Sequence, residues 1–292
     1  GDGVRRIRRV ARFPTPAHDG FHALYDRGRT GLDMLTFIGL GLYDERSITV
    51  EGREALADAD RAAAEFYTSH LVGATVDELS AHHDIDIEVR DRAGVEQDPA
   101  DLLDAAEDEH VAFLTAGDTM ISTTHVDLRL RAIERGIDTR VVHGVTAQTA
   151  ASGLTGLQNY RFGKAVTLPF PYAHGADGVP GSVVDSIEAN RERGLHTLVY
   201  LDIKAERDEY MTADVAAEML AEGWQDGLGV AVARAGSPES TVAADRLSAL
   251  ADRAFGDPLH LLVVPGDLHH VESDALATLG GAPEDVLREN EL

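Results

Sequence analysis

Short apolar segments alternate with longer amphipathic ones along this chain, and this alternation limits the folds open to it. The apolar runs have hydrophobic side chains at odd and even positions alike: 35–38, 111–114, 140–142, 197–203, 229–233 and 260–264. Such runs are typical of strands buried on both faces of a parallel sheet. The segments 50–62, 124–135, 183–193 and 213–222 have the apolar spacing of helices. Alternating strands and helices predict an α/β fold.

The segment 157–181 interrupts this alternation. It is rich in glycine, proline and aromatic residues and has no helical period, as in a linker, a lid loop or the strand-rich start of a second domain. We place a domain boundary here, which predicts an N-terminal α/β domain at 34–160 and a C-terminal α/β domain at 161–292.

Residues 1–33 differ from the rest of the chain, because they contain seven Arg and four Asp and have no sustained apolar period. We expect a disordered N-terminal extension, and a basic arm that binds a partner is the alternative.

The charge of the chain is strongly negative, with 26 Lys and Arg against 51 Asp and Glu and a net charge of −25. This balance argues against nucleic acid as a partner, since proteins that bind phosphate backbones present a basic face. Acidic residues spread along a chain with only two lysines suit a salt-loving source, and an ordinary acidic protein is the alternative.

The absence of cysteine excludes disulfides and cysteine-ligated metals, which fits a cytoplasmic protein. No apolar run reaches the roughly 18 residues of a membrane helix, so we expect no membrane segment.

Five apolar runs end in turns that contain glycine, and these glycines are Gly41, Gly117, Gly144, Gly236 and Gly266. Ligands of open α/β sheets bind at the carboxyl ends of the strands, and glycine lets the backbone approach a ligand closely. Because the turns come from both halves of the chain, they predict a ligand cleft that both halves build. The alternative is that all five are ordinary turns.

The first of these turns, Gly39-Leu40-Gly41, resembles half of a dinucleotide-binding loop. The third glycine of that motif is replaced by Asp44, whose carboxylate would repel a pyrophosphate, and the next helix is expected to start later, with Ser47 or Thr49 as its cap. Glu65 stands about where a ribose-binding acid would be, which is the best point in favour of a dinucleotide. No P-loop, no HExxH metal motif and no GxSxG elbow is present.

Longer motifs resemble a known family, the diphthine synthases within the tetrapyrrole-methylase-like methyltransferases. The resemblance extends in order from Met34 nearly to the C-terminus. The segments that carry it are FIGLGLYDERSITVEG, AEFYTS, GDTMISTTH, RGLHTLVYLDIKAERDEYMTA, ARAGS and FGDPLHLLVVPGDLHHVE.

The resemblance implies two αβα domains of the tetrapyrrole methylase type, S-adenosyl-L-methionine in the cleft between them, and a homodimer. It implies methylation of the amino group on the modified histidine (3-carboxy-3-aminopropyl histidine) of translation elongation factor 2, which gives diphthine in diphthamide biosynthesis. In archaeal members successive methylations give a trimethylammonium product. The alternatives are a small-molecule methyltransferase of the same fold that acts on a corrinoid or tetrapyrrole precursor, and a nucleotide-binding regulator without catalysis.

The resemblance also implies the residues that contact the cofactor, whereas it implies no metal and identifies no general base. Position by position, these contacts are Leu42, Asp118, Ile121, Thr146, Ala147, Leu201, Ala235 and His260. In one place this chain departs from the family pattern, because Thr119 follows Gly117-Asp118 where the family usually has proline. Threonine makes this turn less rigid and restores a backbone N–H.

Overall fold

The structure, a computed structural model, describes residues 33–173 and 178–292. Except for Asp33, the predicted N-terminal extension lies outside the described residues, so both hypotheses about residues 1–33 stay predictions.

The first half of the described chain is built on a five-stranded sheet in which every neighbouring pair is parallel, in the order β3-β2-β4-β1-β5. Its strands are β1 (Met34–Gly39), β2 (Arg61–Glu65), β3 (Ile87–Arg90), β4 (His110–Thr115) and β5 (Asp138–Val142). The helices of this half are α1 (Val50–Ala57), α2 (Val76–His83), α3 (Ala100–Ala106) and α4 (His125–Glu134).

The central strands β1 and β4 are buried on both faces, as their continuous apolar sequences predict. Phe37 and Phe113 pack edge to face on one side of the sheet, with ring centroids 5.8 Å apart, in a cluster with α3 and α4. Ile38 and Leu114 point to the other side and pack with α1 and α2. The prediction of a parallel sheet with two buried faces is therefore confirmed for this half.

The second half contains another five-stranded sheet, in the order β11-β10-β12-β7-β6. Its strands are β6 (Val166–Leu168), β7 (Thr197–Leu201), β10 (Leu228–Ala233), β11 (Thr241–Arg246) and β12 (His260–Val264). A separate hairpin is formed by β8 (Ile203–Lys204) and β9 (Glu209–Tyr210). The helices are α5 (Ala147–Thr155), α6 (Gly181–Arg191), α7 (Ala213–Gly223), α8 (Leu247–Ala251), α9 (His270–Leu279) and α10 (Glu284–Arg288).

The prediction of a parallel sheet is wrong for this half, because only β6 and β7 are parallel and the other pairs are antiparallel. Apolar residues at odd and even positions report burial on both faces, and they do not report strand direction. Here α6, α7 and α8 cover one face, while α5, α9 and α10 cover the other. An antiparallel sheet between two helical layers has the same sequence pattern as a parallel one.

The domain boundary at residue 160 stays a prediction. Helix α5 precedes it in the chain, yet Ala151 of that helix packs with β10 and α9 of the second half. The segment 157–181 contributes β6 to the second sheet. In the described portion of the chain, no helix is both long and apolar enough to cross a membrane.

Candidate active site

Three strand ends of the first sheet meet backbone against backbone. Gly41 and Gly117 exchange hydrogen bonds, with N–O distances of 3.1 and 2.6 Å, and both have a left-handed φ, of +80° and +76°. A Cβ added to Gly39 would lie 2.6 Å from both the Gly117 oxygen and the Gly144 nitrogen. Glycine is therefore required here because the turns pack against one another.

Neither Asp44, which replaces the third glycine of a dinucleotide loop, nor Glu65, the candidate ribose-binding acid, lines the cavity described below. Asp44 turns toward its own loop, where its carboxylate accepts hydrogen bonds from the Arg46 side chain at 3.0 Å and from the Ser47 hydroxyl at 3.2 Å. Glu65 is fully buried and accepts from the backbone N–H of Thr68 at 3.0 Å. Helix α1 begins late, as predicted, with Thr49 as its N-cap.

Asp118 joins the ends of β4 and β5 through its carboxylate. Its Oδ1 accepts from Met120 N at 2.8 Å, which closes an Asx turn, and its Oδ2 accepts from His143 Nδ1 at 2.7 Å and from Gly144 N at 3.1 Å. The side chain is buried and also borders the cavity described below. Thr119, which replaces the family's proline, is buried, and its carbonyl accepts from Thr123 Oγ1 at 2.7 Å.

The N-terminus of α5 forms another edge. Thr146 caps this helix, because its Oγ1 accepts from Thr149 N at 3.2 Å. Beside it, Tyr200 of β7 accepts a hydrogen bond from Ser122 at 3.0 Å and donates one to Gln148 at 3.2 Å. This chain of hydrogen bonds connects the loop after β4 with both β7 and α5.

The second sheet adds the ends of β7, β10 and β12. The turn after β10 contains Gly236, whose φ is +89° and whose added Cβ would lie 2.6 Å from Cβ of Leu42. His260 begins β12 with both ring nitrogens engaged, because Nδ1 accepts from Ala213 N at 3.1 Å and Nε2 donates to the Asp257 carbonyl at 2.9 Å. Burial lowers the pKa of His260, so the imidazole is neutral at neutral pH.

These elements enclose a cavity of about 300 Å³, a size that suits a small-molecule ligand. All eight residues predicted as cofactor contacts line it, namely Leu42, Asp118, Ile121, Thr146, Ala147, Leu201, Ala235 and His260. Their roles as contacts stay predictions.

Several residues that line the cavity are not among the contacts predicted from the sequence. Tyr67, Thr68 and His70 come from the AEFYTS segment and the residue after it, while Tyr200 and Tyr210 come from the long motif of the second half. The glycine turns at the strand ends do not indicate these residues. They could have been predicted only because both segments belong to the motifs that resemble the family.

Burial shifts the pKa values of several side chains in the cavity wall in favour of their neutral forms. Burial raises the pKa of Tyr67, Tyr200 and Tyr210 and lowers the pKa of His70. The Arg92 guanidinium lies 4.7 Å from the centroid of the Tyr67 ring. A second, larger opening of about 1010 Å³ adjoins the cavity and shares His70, Val72 and Tyr210 with it. Its wall includes the acidic residues Glu78, Asp208 and Asp257.

Within residues 33–173 and 178–292, no group of three or more His, Cys, Asp or Glu side chains is arranged to hold a metal ion.

Comparison with known proteins gives the family. Residues 34–251 match the family described as Tetrapyrrole (Corrin/Porphyrin) Methylases. A protein of Halorubrum lacusprofundi named diphthine synthase is 76% identical over 265 residues, which cover 88% of this chain and 100% of the relative. A diphthine synthase of Methanosarcina acetivorans is 48% identical over 268 residues, with 88% and 100% covered.

A crystal structure of a diphthine synthase superposes with a TM-score of 0.81 at 37% identity and covers 87% of this chain and 99% of its own. These names do not favour the alternative of a corrinoid-precursor methyltransferase. The chain therefore belongs to the tetrapyrrole (corrin/porphyrin) methylase family and, within it, to the diphthine synthases, which are S-adenosylmethionine-dependent methyltransferases.

Proposed function

We propose that this chain binds S-adenosyl-L-methionine in the 300 Å³ cavity through the eight predicted contacts. One observation carries this proposal. The eight residues come from motifs spread over 219 positions, from Leu42 to His260, and they line a single cavity.

The wall of the cavity fits such a cofactor. The N-terminus of α5 and the hydroxyls of Ser122 and Thr123 offer polar groups on one side. Leu201 and Met211 offer apolar surface on the other side. A nucleoside joined to an amino acid needs this combination of apolar surface and a few convergent polar groups.

We propose that the methyl acceptor is the amino group of the modified histidine of translation elongation factor 2, and that the product is diphthine. The names of the relatives support this substrate. The acidic residues Glu78, Asp208 and Asp257 of the adjoining opening support it as well, because carboxylates attract a cationic amine toward the cavity. Since elongation factor 2 acts in translation, we place the enzyme in the cytoplasm.

The residues of the cavity contribute mainly orientation and exclusion of water. When bound, S-adenosylmethionine supplies a methyl group that is already activated by its sulfonium charge. The buried ends of β4, β10 and β12 hold the walls rigid, and alignment in a dry cleft lowers the barrier by several kcal/mol, to order of magnitude. Tyr67, Tyr200 and Tyr210 are protonated at neutral pH, and burial raises their pKa values further, so they do not accept the amine proton.

Peptide mass spectrometry tests this function. The chain is incubated with S-adenosylmethionine and with elongation factor 2 that carries the unmethylated 3-carboxy-3-aminopropyl histidine. We expect mass increments of one or more methyl groups on the peptide with that histidine. Elongation factor 2 with an unmodified histidine is the matched control and should gain no methyl. No methyl on the modified peptide would contradict the proposal.

We also propose a homodimer in which α4 faces a second copy. Val126, Leu130 and Ile133 form an apolar stripe on this helix and are 57%, 53% and 50% exposed. Charges of both signs flank the stripe, for example Asp127 and Arg131, so the same surface on a two-fold-related copy is complementary to it.

Sedimentation of a Leu130→Glu variant tests this interface. The wild type should sediment as a dimer and the variant as a folded monomer. Val50→Glu, at an exposed position on α1, is the control that should remain a dimer. A monomeric wild type, or a dimeric Leu130→Glu variant, would contradict the proposal.

A further inference from the structure

Two buried side chains face each other beneath the cavity without belonging to its wall. Glu65 is the last residue of β2 and His125 is the first residue of α4, and both side chains are 0% exposed. Glu65 Oε1 lies 3.4 Å from His125 Nε2. Neither atom has a hydrogen-bond partner among the described residues. Buried polar atoms are nearly always satisfied, so this arrangement requires an explanation.

The other polar atom of each side chain holds a loop that lines the cavity. Glu65 Oε2 accepts from Thr68 N at 3.0 Å, and Thr68 belongs to the wall. His125 Nδ1 lies 3.0 Å from the carbonyl oxygen of Thr119, in the loop between Asp118 and Thr123. The two side chains therefore connect the loop after β2 with the loop after β4.

The hydrogen-bond partners of His125 and Glu65 indicate where these two side chains carry protons. His125 Nδ1 lies 3.0 Å from the Thr119 carbonyl oxygen, which only accepts, so Nδ1 carries a hydrogen. The Thr115 hydroxyl, 3.4 Å from the same nitrogen, donates to Thr119 Oγ1 and leaves its lone pair toward Nδ1. If the imidazole is neutral, its Nε2 is then a lone pair that faces a carboxyl oxygen of Glu65. Two buried lone pairs at this distance repel each other, whereas one proton between them satisfies both atoms.

We propose that Glu65 and His125 are positioning residues that share one proton, and that this shared proton holds together the two loops that line the cofactor cavity. The link to the cofactor rests on the proposed function, whereas the shared proton itself does not.

The surroundings place this proton on Glu65. Burial raises the pKa of Glu65 to about 7, and the hydrogen bond from Thr68 N and the charge of Arg92 oppose the rise. Burial lowers the pKa of His125, and its hydrogen bond to the Thr119 carbonyl and the charge of Glu96 oppose that change. Tyr67 is the other titratable group near Glu65 and is itself neutral. Both shifts favour a neutral acid next to a neutral imidazole.

A second buried pair, in the other half of the chain, shows the contrasting arrangement. His196 Nδ1 accepts from Gly266 N at 3.1 Å, so Nε2 carries the hydrogen and donates to Glu272 Oε1 at 3.0 Å. Arg161 pairs with the other oxygen of Glu272 at 3.1 Å. Glu272 is therefore ionised and lies beside the Arg161 cation, so the pair of His196 and Glu272 needs no shared proton.

Nitrogen-detected NMR of the histidine rings tests the proton directly in the complete wild-type chain. At pH 6.5 we expect His125 to be neutral with hydrogen on Nδ1 and with its Nε2 resonance shifted from that of a free lone pair by the hydrogen bond from Glu65, and we expect His196 to be the tautomer with hydrogen on Nε2. An Nε2 resonance of His125 at the position of a free lone pair would show that no proton is shared and would overturn the proposal.

Two variants test the role of the pair. Glu65→Gln keeps an oxygen for Thr68 N and supplies an N–H for His125 Nε2, whereas Glu65→Leu supplies neither. By calorimetry at pH 6.5 with S-adenosylmethionine, we expect the dissociation constant of Glu65→Gln to stay within threefold of wild type and that of Glu65→Leu to rise at least tenfold. Equal losses in the two variants would overturn the positioning role.

Thermal unfolding between pH 5 and pH 9 separates this proposal from the proposed function, because it needs no ligand. The unfolding midpoint of wild type should contain a component that falls as the pH rises through about 7, and Glu65→Gln should lack this component. If both variants fold and wild type binds no S-adenosylmethionine, the cofactor assignment fails while the NMR and unfolding results still decide the shared proton.

Discussion

The substitution Gly144→Ala tests whether the ends of β1, β4 and β5 must lie in contact. The added Cβ would lie 2.2 Å from the Gly117 oxygen and 2.9 Å from backbone atoms of Gly39, and none of these atoms moves without shifting a strand end. We expect Gly144→Ala to reduce the free energy of unfolding by about 1–3 kcal/mol or more, as overpacking does. Urea denaturation measures this change.

Gly153→Ala is the matched control for that substitution. This glycine lies exposed inside α5, and no atom lies within 4 Å of the position its Cβ would take. Alanine there should stabilise the protein by about 0.5–1 kcal/mol, because glycine is the poorer helix former. If Gly144→Ala leaves the free energy of unfolding unchanged, the strand ends can shift to accommodate the added carbon.

The carboxylate of Asp118 tests how the fold and the cofactor site are coupled. All three of its hydrogen-bond partners are donors, from Met120, His143 and Gly144. In Asp118→Asn the amide N–H₂ replaces an acceptor and faces one of those donors. We expect a loss of about 1–3 kcal/mol in the free energy of unfolding and weaker binding of S-adenosylmethionine by calorimetry. Unchanged affinity would remove Asp118 from the cofactor site.

At the scale of elements, the sequence predicted the strands and helices with strong apolar patterns and missed those with weak ones. Strand β2 is the clearest miss, because residues 50–62 were predicted as one helix. The helix ends at Ala57, and a strand begins at Arg61. Three alanines, Ala62, Ala63 and Ala64, favour a helix locally, but burial between β3 and β4 decides their conformation.

The start of α9 depends on one buried carboxylate. Glu272 accepts hydrogen bonds from the backbone N–H groups of Gln158 and His269 at 2.8 and 2.9 Å, in addition to its pairing with His196 and Arg161. Burial opposes ionisation and is the largest single influence, yet the hydrogen bonds together lower the pKa of Glu272. A lowered carboxyl pKa contributes stability that is present above the ordinary pKa and is lost as the pH falls through the folded value.

Glu272→Gln should therefore destabilise the protein most at neutral pH. We expect a loss of about 3 kcal/mol or more at pH 7, because the charge of Arg161 and the neutral N–H donors around Glu272 lose their ionised partner. The difference from wild type should shrink at an acidic pH below the lowered pKa of Glu272, where the carboxyl group of wild type becomes protonated. Chemical denaturation at both pH values measures it, and a difference that does not depend on pH would argue against an ionised Glu272.

At the scale of the molecule, the sequence located the cleft better than it described the sheets around it. Glycine turns at strand ends predict a cleft built by both halves, and the turns with Gly41 and Gly236 lie at the cavity, Gly41 in its wall and Gly236 against Leu42. The turn with Gly266 does not line the cavity, because β12 is antiparallel to its neighbours and this turn follows the end of the strand opposite His260. The direction of β10 and β12 could not be predicted, because burial on both faces leaves the same pattern in either direction. Contacts such as Ser122 with Tyr200 join segments 78 residues apart, and no local pattern specifies them.

The net charge of −25 makes stability depend on salt. Repulsion among surface carboxylates opposes the compact state, and the Debye length falls from about 10 Å at 0.1 M to about 3 Å at 1 M salt. We therefore expect the thermal unfolding midpoint at pH 7 to rise between 0.1 M and 2 M KCl. The same titration at pH 4.5, where carboxylates are partly protonated, is the control and should give a smaller rise. A midpoint that is flat or falling with KCl at pH 7 would show that self-repulsion does not limit the stability of this fold.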